Sequence, residues 1–303
     1  MKVHRLGLVV VFLSFLLTLS SLTVQAELLS AFNVPKNPAI DFFGLLELSS
    51  DLQIDPRDAE RDDEKVSLGT LELGMHSDVS NVIAVDVLIA YQEDSAAMVL
   101  DTLTTTYTHS ARPKWHAAGG KNYLPFGAFS TFQLNDTLGL ELAETNQIFA
   151  NVGFHGDQFI SDVYVYENEE GIVGKVGGRV GYHTDVFHIG FDYIDSLYES
   201  PAYGMHGQWT VERLTLLAEH IVVDHYRLNE KSYAEQYEIA YDFNGIVIAV
   251  SYQINDALKI LELPQEKASI TISAPINYIS QAGIELWKQD GIASIGAQFS
   301  LLL

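Results

Sequence analysis

Apolar and polar residues alternate along most of this chain with a period of two. In "TLELGMHSD", Leu71, Leu73 and Met75 oppose Glu72, Gly74 and His76. In "NVIAVDVLIAY", Ile83, Val85, Val87, Ile89 and Tyr91 oppose Ala84, Asp86, Leu88 and Ala90. "GKVGGRVGYH" sets Val176, Gly178, Val180 and Tyr182 against Lys175, Gly177, Arg179 and Gly181, and "GAQFSLLL" sets Phe299, Leu301 and Leu303 against Gln298, Ser300 and Leu302. Successive side chains of a strand point to opposite faces, so these segments are strands with one apolar and one polar face. A helix would need a period of 3.6.

Such a sheet either buries its apolar face in a soluble sandwich or turns it outward to lipid. Two features favour lipid. The non-apolar face is rich in Gly, Ala, Thr and isolated charges, which suits a lumen wall better than a surface in bulk water. The connections also alternate in length. Longer or acidic ones fall at 50–66, 92–96, 123–145, 167–171, 195–201, 224–232, 256–266 and 288–291. Shorter ones fall at 77–81, 109–115, 155–157, 183–185, 211–212, Asn244-Gly245 and 277–279. Short turns at one rim and longer loops at the other characterise transmembrane barrels. The expected fold is therefore all-β: a transmembrane, antiparallel up-and-down β-barrel, outer-membrane porin-like, of about 16 strands (roughly 14–18). Over 213–223 both faces are apolar, since Leu214 and Leu216 compete with Leu217 and Ile221, and the outward face stays open. Tyr91, Tyr107, Trp115, Tyr123, Tyr182, Trp209, Tyr252 and Trp287 lie near expected strand ends, where interfacial girdles form.

The beginning of the chain has another pattern. Lys2, His4 and Arg5 precede "LGLVVVFLSFLLTLSSL", and Val24-Gln25-Ala26 resembles a small-residue cleavage site. This is the three-part layout of a secretory signal peptide. The expected organisation is a signal peptide over 1–26, a short periplasmic segment over 27–38 with no room for a plug domain, and a barrel over 39–303. The net charge of −23 excludes a basic nucleic-acid footprint. With no cysteine, disulfide scaffolds, Cys-based zinc sites and thiol catalysis are excluded. The ten histidines show no metal-ligand spacing, and no compact Ser/His/acid group is visible. The expectation is a non-enzyme with no catalytic residue, no metal site and no cofactor.

The stretch "GGKNYLPFGAFSTF", residues 119–132, interrupts the alternation. Tyr123, Phe126, Phe129 and Phe132 suit a strand, whereas Pro125 cannot donate to a ladder and Gly127 weakens one. The break is expected to be the exit from the fifth strand into a third loop over 123–145. That loop mixes Phe129, Phe132, Leu138 and Leu140 with Asp136, Glu141 and Glu144. Apolar content of this kind suits a loop folded into the barrel and narrowing it. The alternative is a further hairpin built from "GAFSTFQL" and "LGLELAE".

The run "GGKNYLPFGAFSTFQLNDTLGLELAETN", with "GMHSDVSNVIAVDVLIAYQED" upstream, resembles the LbtU-type siderophore porin family. The matching positions are Gly120, Lys121, Tyr123, Pro125-Phe126-Gly127 and Leu140-Glu141-Leu142-Ala143-Glu144-Thr145, and the likeness is clearest over 67–155. The resemblance implies an outer-membrane barrel that takes up a ferric siderophore or similar small solute without a plug domain. A general diffusion porin is the alternative, and an outer-membrane enzyme or adhesin a third possibility. The pore-loop candidates are Lys121, Tyr123, Pro125, Phe126, Gly127, Asp136, Glu141 and Glu144. The expected lumen charges are Glu72, Asp86, Lys175 and Arg179, with Asp101, Glu238 and Glu285 beside them. The acidic connection 51–66 suits divalent-cation bridging to lipopolysaccharide, or a funnel for cationic solutes. The expected surroundings are those of a bacterial outer membrane: lipid and lipopolysaccharide outside, the solute inside, and no nucleic acid. The oligomeric state stays open.

Overall fold

A computed structural model describes residues 40–54, 63–92, 97–109, 114–168, 171, 173–225, 230–256 and 263–302. The expected signal peptide and the 27–38 segment lie outside these residues, as does the centre of the acidic 51–66 connection.

The described residues form sixteen strands. The first eight are β1 (Ile40–Ile54), β2 (Asp63–Ser80), β3 (Ile83–Gln92), β4 (Ala97–Thr108), β5 (Trp115–Tyr123), β6 (Asn146–His155), β7 (Phe159–Glu167) and β8 (Val173–His183). The others are β9 (Phe187–Leu197), β10 (Ser200–Val211), β11 (Leu214–His225), β12 (Glu230–Phe243), β13 (Ile246–Asn255), β14 (Glu266–Asn277), β15 (Ser280–Gln289) and β16 (Ile292–Leu302). Each pairs antiparallel with its sequence neighbours, and β1 pairs with β16 from Leu45↔Leu302 to Ile54↔Ala293, which closes the barrel. Closure is what a sheet in lipid requires, because an open edge there would leave N–H and C=O groups without partners. Ile40 pairs with Ser77, next to the 81–82 turn, and the Leu302 N–H donates to the Ile279 carbonyl at 2.8 Å. Both ends of the barrel therefore meet the rim of short turns. At that rim Asn244 (φ 56°) and Gly245 (φ 93°) make the two-residue turn that an Asn-Gly pair favours.

Register fixes which residues face outward. Val163, Val180, Ile239, Val250, Ile272 and Ile284 are all at least half exposed on the outer face. An apolar band of this extent belongs in lipid, not water. Near the turn rim it ends in outward aromatics. Trp115 packs on Phe154 (ring centroids 5.3 Å apart) and Phe159 on Tyr182 (5.0 Å), with Tyr107, Phe187 and Trp209 alongside. Tyr193 and Tyr203 (5.4 Å), with Tyr123 and Tyr252, lie outward toward the other rim. Trp287 corrects its expectation: it is buried on the lumen side, on the same face as Glu285, where Gly296 leaves room for its ring.

Three further expectations change. β1 and β2 run well into the 50–66 connection. The connections 195–201 and 288–291 shrink to the pairs Tyr198-Glu199 and Asp290-Gly291, all four residues at positive φ. No further hairpin forms after residue 123; residues 124–137 are irregular and a short helix, α1 (Leu138–Ala143), precedes β6. Thr137 caps this helix, its Oγ1 accepting from the Leu140 N–H at 3.1 Å.

One backbone position tests the closeness of the wall. Gly120 faces the lumen with φ 145°, and a Cβ there would collide with the Leu103 carbonyl. Gly120→Ala is expected to cost about 1–3 kcal/mol. A urea titration of the gel-mobility difference between folded and boiled protein measures it, and an unchanged midpoint would contradict this register.

Candidate functional site

The third loop lies inside the barrel and is held by carboxylates. Its neck closes where the Leu124 N–H donates to the Thr145 carbonyl at 2.9 Å. Beyond the neck the loop's backbone runs past three inward glutamates. Glu219 on β11 accepts from the Ala128 N–H (2.7 Å) and the Phe129 N–H (3.0 Å). Glu238 on β12 accepts from the Phe132 N–H and the Thr131 hydroxyl, each at 2.7 Å. Glu285 on β15 accepts from the Leu134 N–H (2.7 Å) and the Asn135 N–H (3.0 Å). All three are buried, Glu285 completely. An irregular segment has no ladder of its own, so its amides need such partners once water is excluded.

Neutral and cationic groups complete the attachment. Gln253 accepts from the Leu138 N–H at 2.7 Å, and Lys267 donates to the Asp136 carbonyl at 3.0 Å. Gln133 accepts from Thr271 (2.9 Å) and from Ser269. Apolar packing finishes the seal, with Leu124, Phe126, Leu142 and Ala143 against Phe149, Tyr164, Tyr166, Ile194, Ile221 and Val223. This explains β11. Leu217 and Ile221 face inward under the loop while Leu216 faces out, so both faces of that strand are apolar.

The opposite wall stays uncovered. On β1–β3 the inward positions include Glu47, Asp51, Glu72, His76 and Asp86, none of them buried. His76 and Asp86 pair at 2.6 Å with side chains 36% and 48% exposed, whereas Gln253, Thr271 and Glu285 under the loop are at most 1% exposed. The lumen thus runs between the β1–β3 wall and the loop. On the loop itself Asp136, Glu141 and Glu144 are exposed. Desolvation by the surrounding protein pushes the Glu141 and Glu144 carboxyls above their ordinary range. Asp136 adds repulsion to both, while Lys267 partly offsets the rise at Glu141.

Among the expected lumen charges, Glu72, Asp86, Lys175 and Arg179 all face inward. Arg179 is engaged by buried Asp162 at 3.4 Å. Two placements are corrections. Lys121 is on β5 opposite Leu103 and Ile148, on the outer face, where its amine reaches the Leu100 carbonyl at 2.8 Å. A long cationic stem near a rim can lie along apolar surface in this way. Asp101, at a bulge of β4, accepts on the outer side from Tyr123 (3.1 Å) and Asn146 (3.0 Å). Tyr123 is therefore a rim residue; Pro125, Phe126 and Gly127 form the loop's first bend, with Gly127 at φ 76° and Phe126 buried.

One arrangement leaves no local trace in the sequence. His116, His155 and Asp162, from β5, β6 and β7, converge inside the barrel, as do His188, His206 and Asp192 from β9 and β10. Their partners lie on neighbouring strands, so local spacing could not reveal them.

No family model matches the sequence, and comparison with curated proteins returns no match. Solved structures share the fold. The outer-membrane channel DcaP of Acinetobacter baumannii superposes with a TM-score of 0.68 at 11% identity, covering 89% of this chain and 99% of that one. OmpF of Salmonella typhi, in complex with daunomycin, gives 0.68 at 9%, covering 87% and 97%. The anion-selective porin of Comamonas acidovorans gives 0.65 at 10%, covering 88% and 99%. The chain has the sixteen-stranded barrel fold of these porins.

Removing an anchor should free the loop. Glu238→Ala strands two loop donors, and bonds to a charged group contribute about 1.5–3 kcal/mol each. In a Glu238→Ala, Glu285→Ala barrel, residues 128–137 are expected to become cleavable by protease while the barrel stays heat-modifiable. Full resistance would show that the carboxylates do not hold the loop.

Proposed function

We propose that the protein is a porin of the bacterial outer membrane, passing small solutes through a lumen narrowed by its third loop and favouring cations. The observation that supports this most directly is the asymmetry of the inner wall. Water-accessible acids line β1–β3 and further exposed acids lie on the loop, while Arg179 is engaged by Asp162 and Lys267 by the Asp136 carbonyl. One-sign surfaces with low-dielectric walls raise the local concentration of counter-ions, and rings of carboxylates favour cations in a pore. The Comamonas acidovorans porin is anion-selective on the same fold, so the fold alone does not set the sign of selectivity. The apolar outer band, the closed sheet and the pattern of a signal peptide support the location.

Uptake of a ferric siderophore is the finer reading. It is favoured by the position of the segment carrying the family resemblance: Pro125-Phe126-Gly127 and Leu140–Thr145 form the neck and the helix of the constricting loop. Current recordings separate the two readings. Added ferric siderophore should block the current at micromolar concentration if the loop recognises it. A current unaffected at millimolar concentration would leave general diffusion alone.

For selectivity, a bilayer under a KCl gradient should show a reversal potential of cationic sign, reduced in Glu72→Gln, Asp86→Asn. Anionic sign would overturn the proposal. The pH dependence has a defined direction. A carboxyl with a raised pKa is protonated earlier as pH falls, so Glu141 and Glu144 lose charge before ordinary carboxylates do. As pH falls, cation preference should therefore begin to drop at a higher pH than ordinary carboxylates alone would give. In Glu141→Gln, Glu144→Gln that early drop should vanish.

A further inference from the structure

We propose that His116, His155 and Asp162 bind a divalent transition-metal ion of the zinc class at the lumen wall. The three come from adjacent strands and share the inward face. Register puts His116 opposite Gly153 and Gly153 opposite Asp162, so one glycine separates two ligands across three strands. A Cβ at Gly153 would collide with both the His116 ring and the Asp162 carboxylate. The missing side chain is what lets them meet.

The geometry is that of a ligand set. Both imidazoles aim Nε2 at one carboxylate, His116 at 3.3 Å from Oδ1 and His155 at 3.2 Å from Oδ2. The His155–Asp162 contact is within hydrogen-bond range, and both separations also fit two ligands of one ion. Edges of a tetrahedron around a zinc ion, with bonds near 2.0–2.1 Å, are about 3.3–3.4 Å. All three ligand atoms lie within 4.8 Å of one another, and the His155 side chain, 49% exposed, can turn to close the remaining gap. The imidazole rings are 4.3 Å apart. Two imidazolium ions at that distance would repel, whereas two neutral ones can share a metal.

Two histidines and a carboxylate suit Zn²⁺, Ni²⁺ or Co²⁺ and leave a coordination position open. That position faces the lumen, so water or a donor atom of a chelate can complete the shell. Asp162 is buried, held by Asn151 at 3.2 Å and Arg179 at 3.4 Å. The Arg179 charge opposes a second cation and so lowers the affinity of the site. The site adds a metal station to the proposed cation path, but binding to the purified barrel is read without any transport.

The test is calorimetric titration of the detergent-solubilised, chelator-stripped barrel with Zn²⁺, and Co²⁺ absorption for coordination number. One equivalent should bind, and the Co²⁺ complex should show the intense visible bands of a low-coordinate ion. His155→Ala should weaken binding at least about tenfold. Gly153→Ala should do the same without removing a ligand. His188→Ala, His206→Ala, in the neighbouring cluster, should bind as the unmodified barrel does. Heat-modifiability verifies folding of each variant. No saturable Zn²⁺ binding below millimolar concentration would overturn the proposal, as would undiminished affinity in His155→Ala.

Discussion

A sheet in lipid has no tolerable edge, and the pairing of β1 with β16 meets that condition. Closure then sorts every strand residue by parity. Outward residues meet hydrocarbon and inward residues meet the lumen. The period-two pattern is therefore the visible record of closure, and the aromatic belts mark where hydrocarbon ends. The lumen's contents are a separate matter, decided by what the inward residues hold.

Here they hold a loop. A segment of irregular backbone inside a barrel brings amides that no ladder satisfies. Glu219, Glu238 and Glu285 supply the acceptors, and their burial is tolerable because each accepts at least two hydrogen bonds. The carboxylates of this protein thus serve two purposes. Those on β11, β12 and β15 are covered by the loop and fix its course. Those on β1–β3 remain accessible to water. The same residue type becomes structural or electrostatic according to which wall the loop covers.

Much of the fold was legible because it depends on local patterns. All sixteen strands could be placed, and Asn244-Gly245 announced its turn. The turns at Tyr198-Glu199 and Asp290-Gly291 were overestimated in length. Tyr198-Glu199 contains no glycine, so nothing local signals its positive φ values. Lys121 was misassigned because Gly119 and Gly120 precede it and give no parity signal. Trp287 was misassigned because an inward aromatic needs an empty partner position, and Gly296 on the next strand supplies it. Glu238 and Glu285 were expected in the lumen, but their role was not, since the amides they bind lie 106 and 150 or 151 residues away. The convergence of His116, His155 and Asp162 was illegible for the same reason: it depends on register across three strands and on the absent side chain of Gly153.

One inner wall of the barrel is sealed by the loop and the other is open to water. The chain contains no cysteine, so single substitutions report accessibility without background. A membrane-impermeant charged thiol reagent would be applied to the folded barrel carrying Ser49→Cys or Ala84→Cys on the β1–β3 wall, and Ser251→Cys or Thr271→Cys on the β13–β14 wall. The account predicts rapid modification of the first pair and protection of the second until the barrel is unfolded. Equal labelling of the two walls would contradict it.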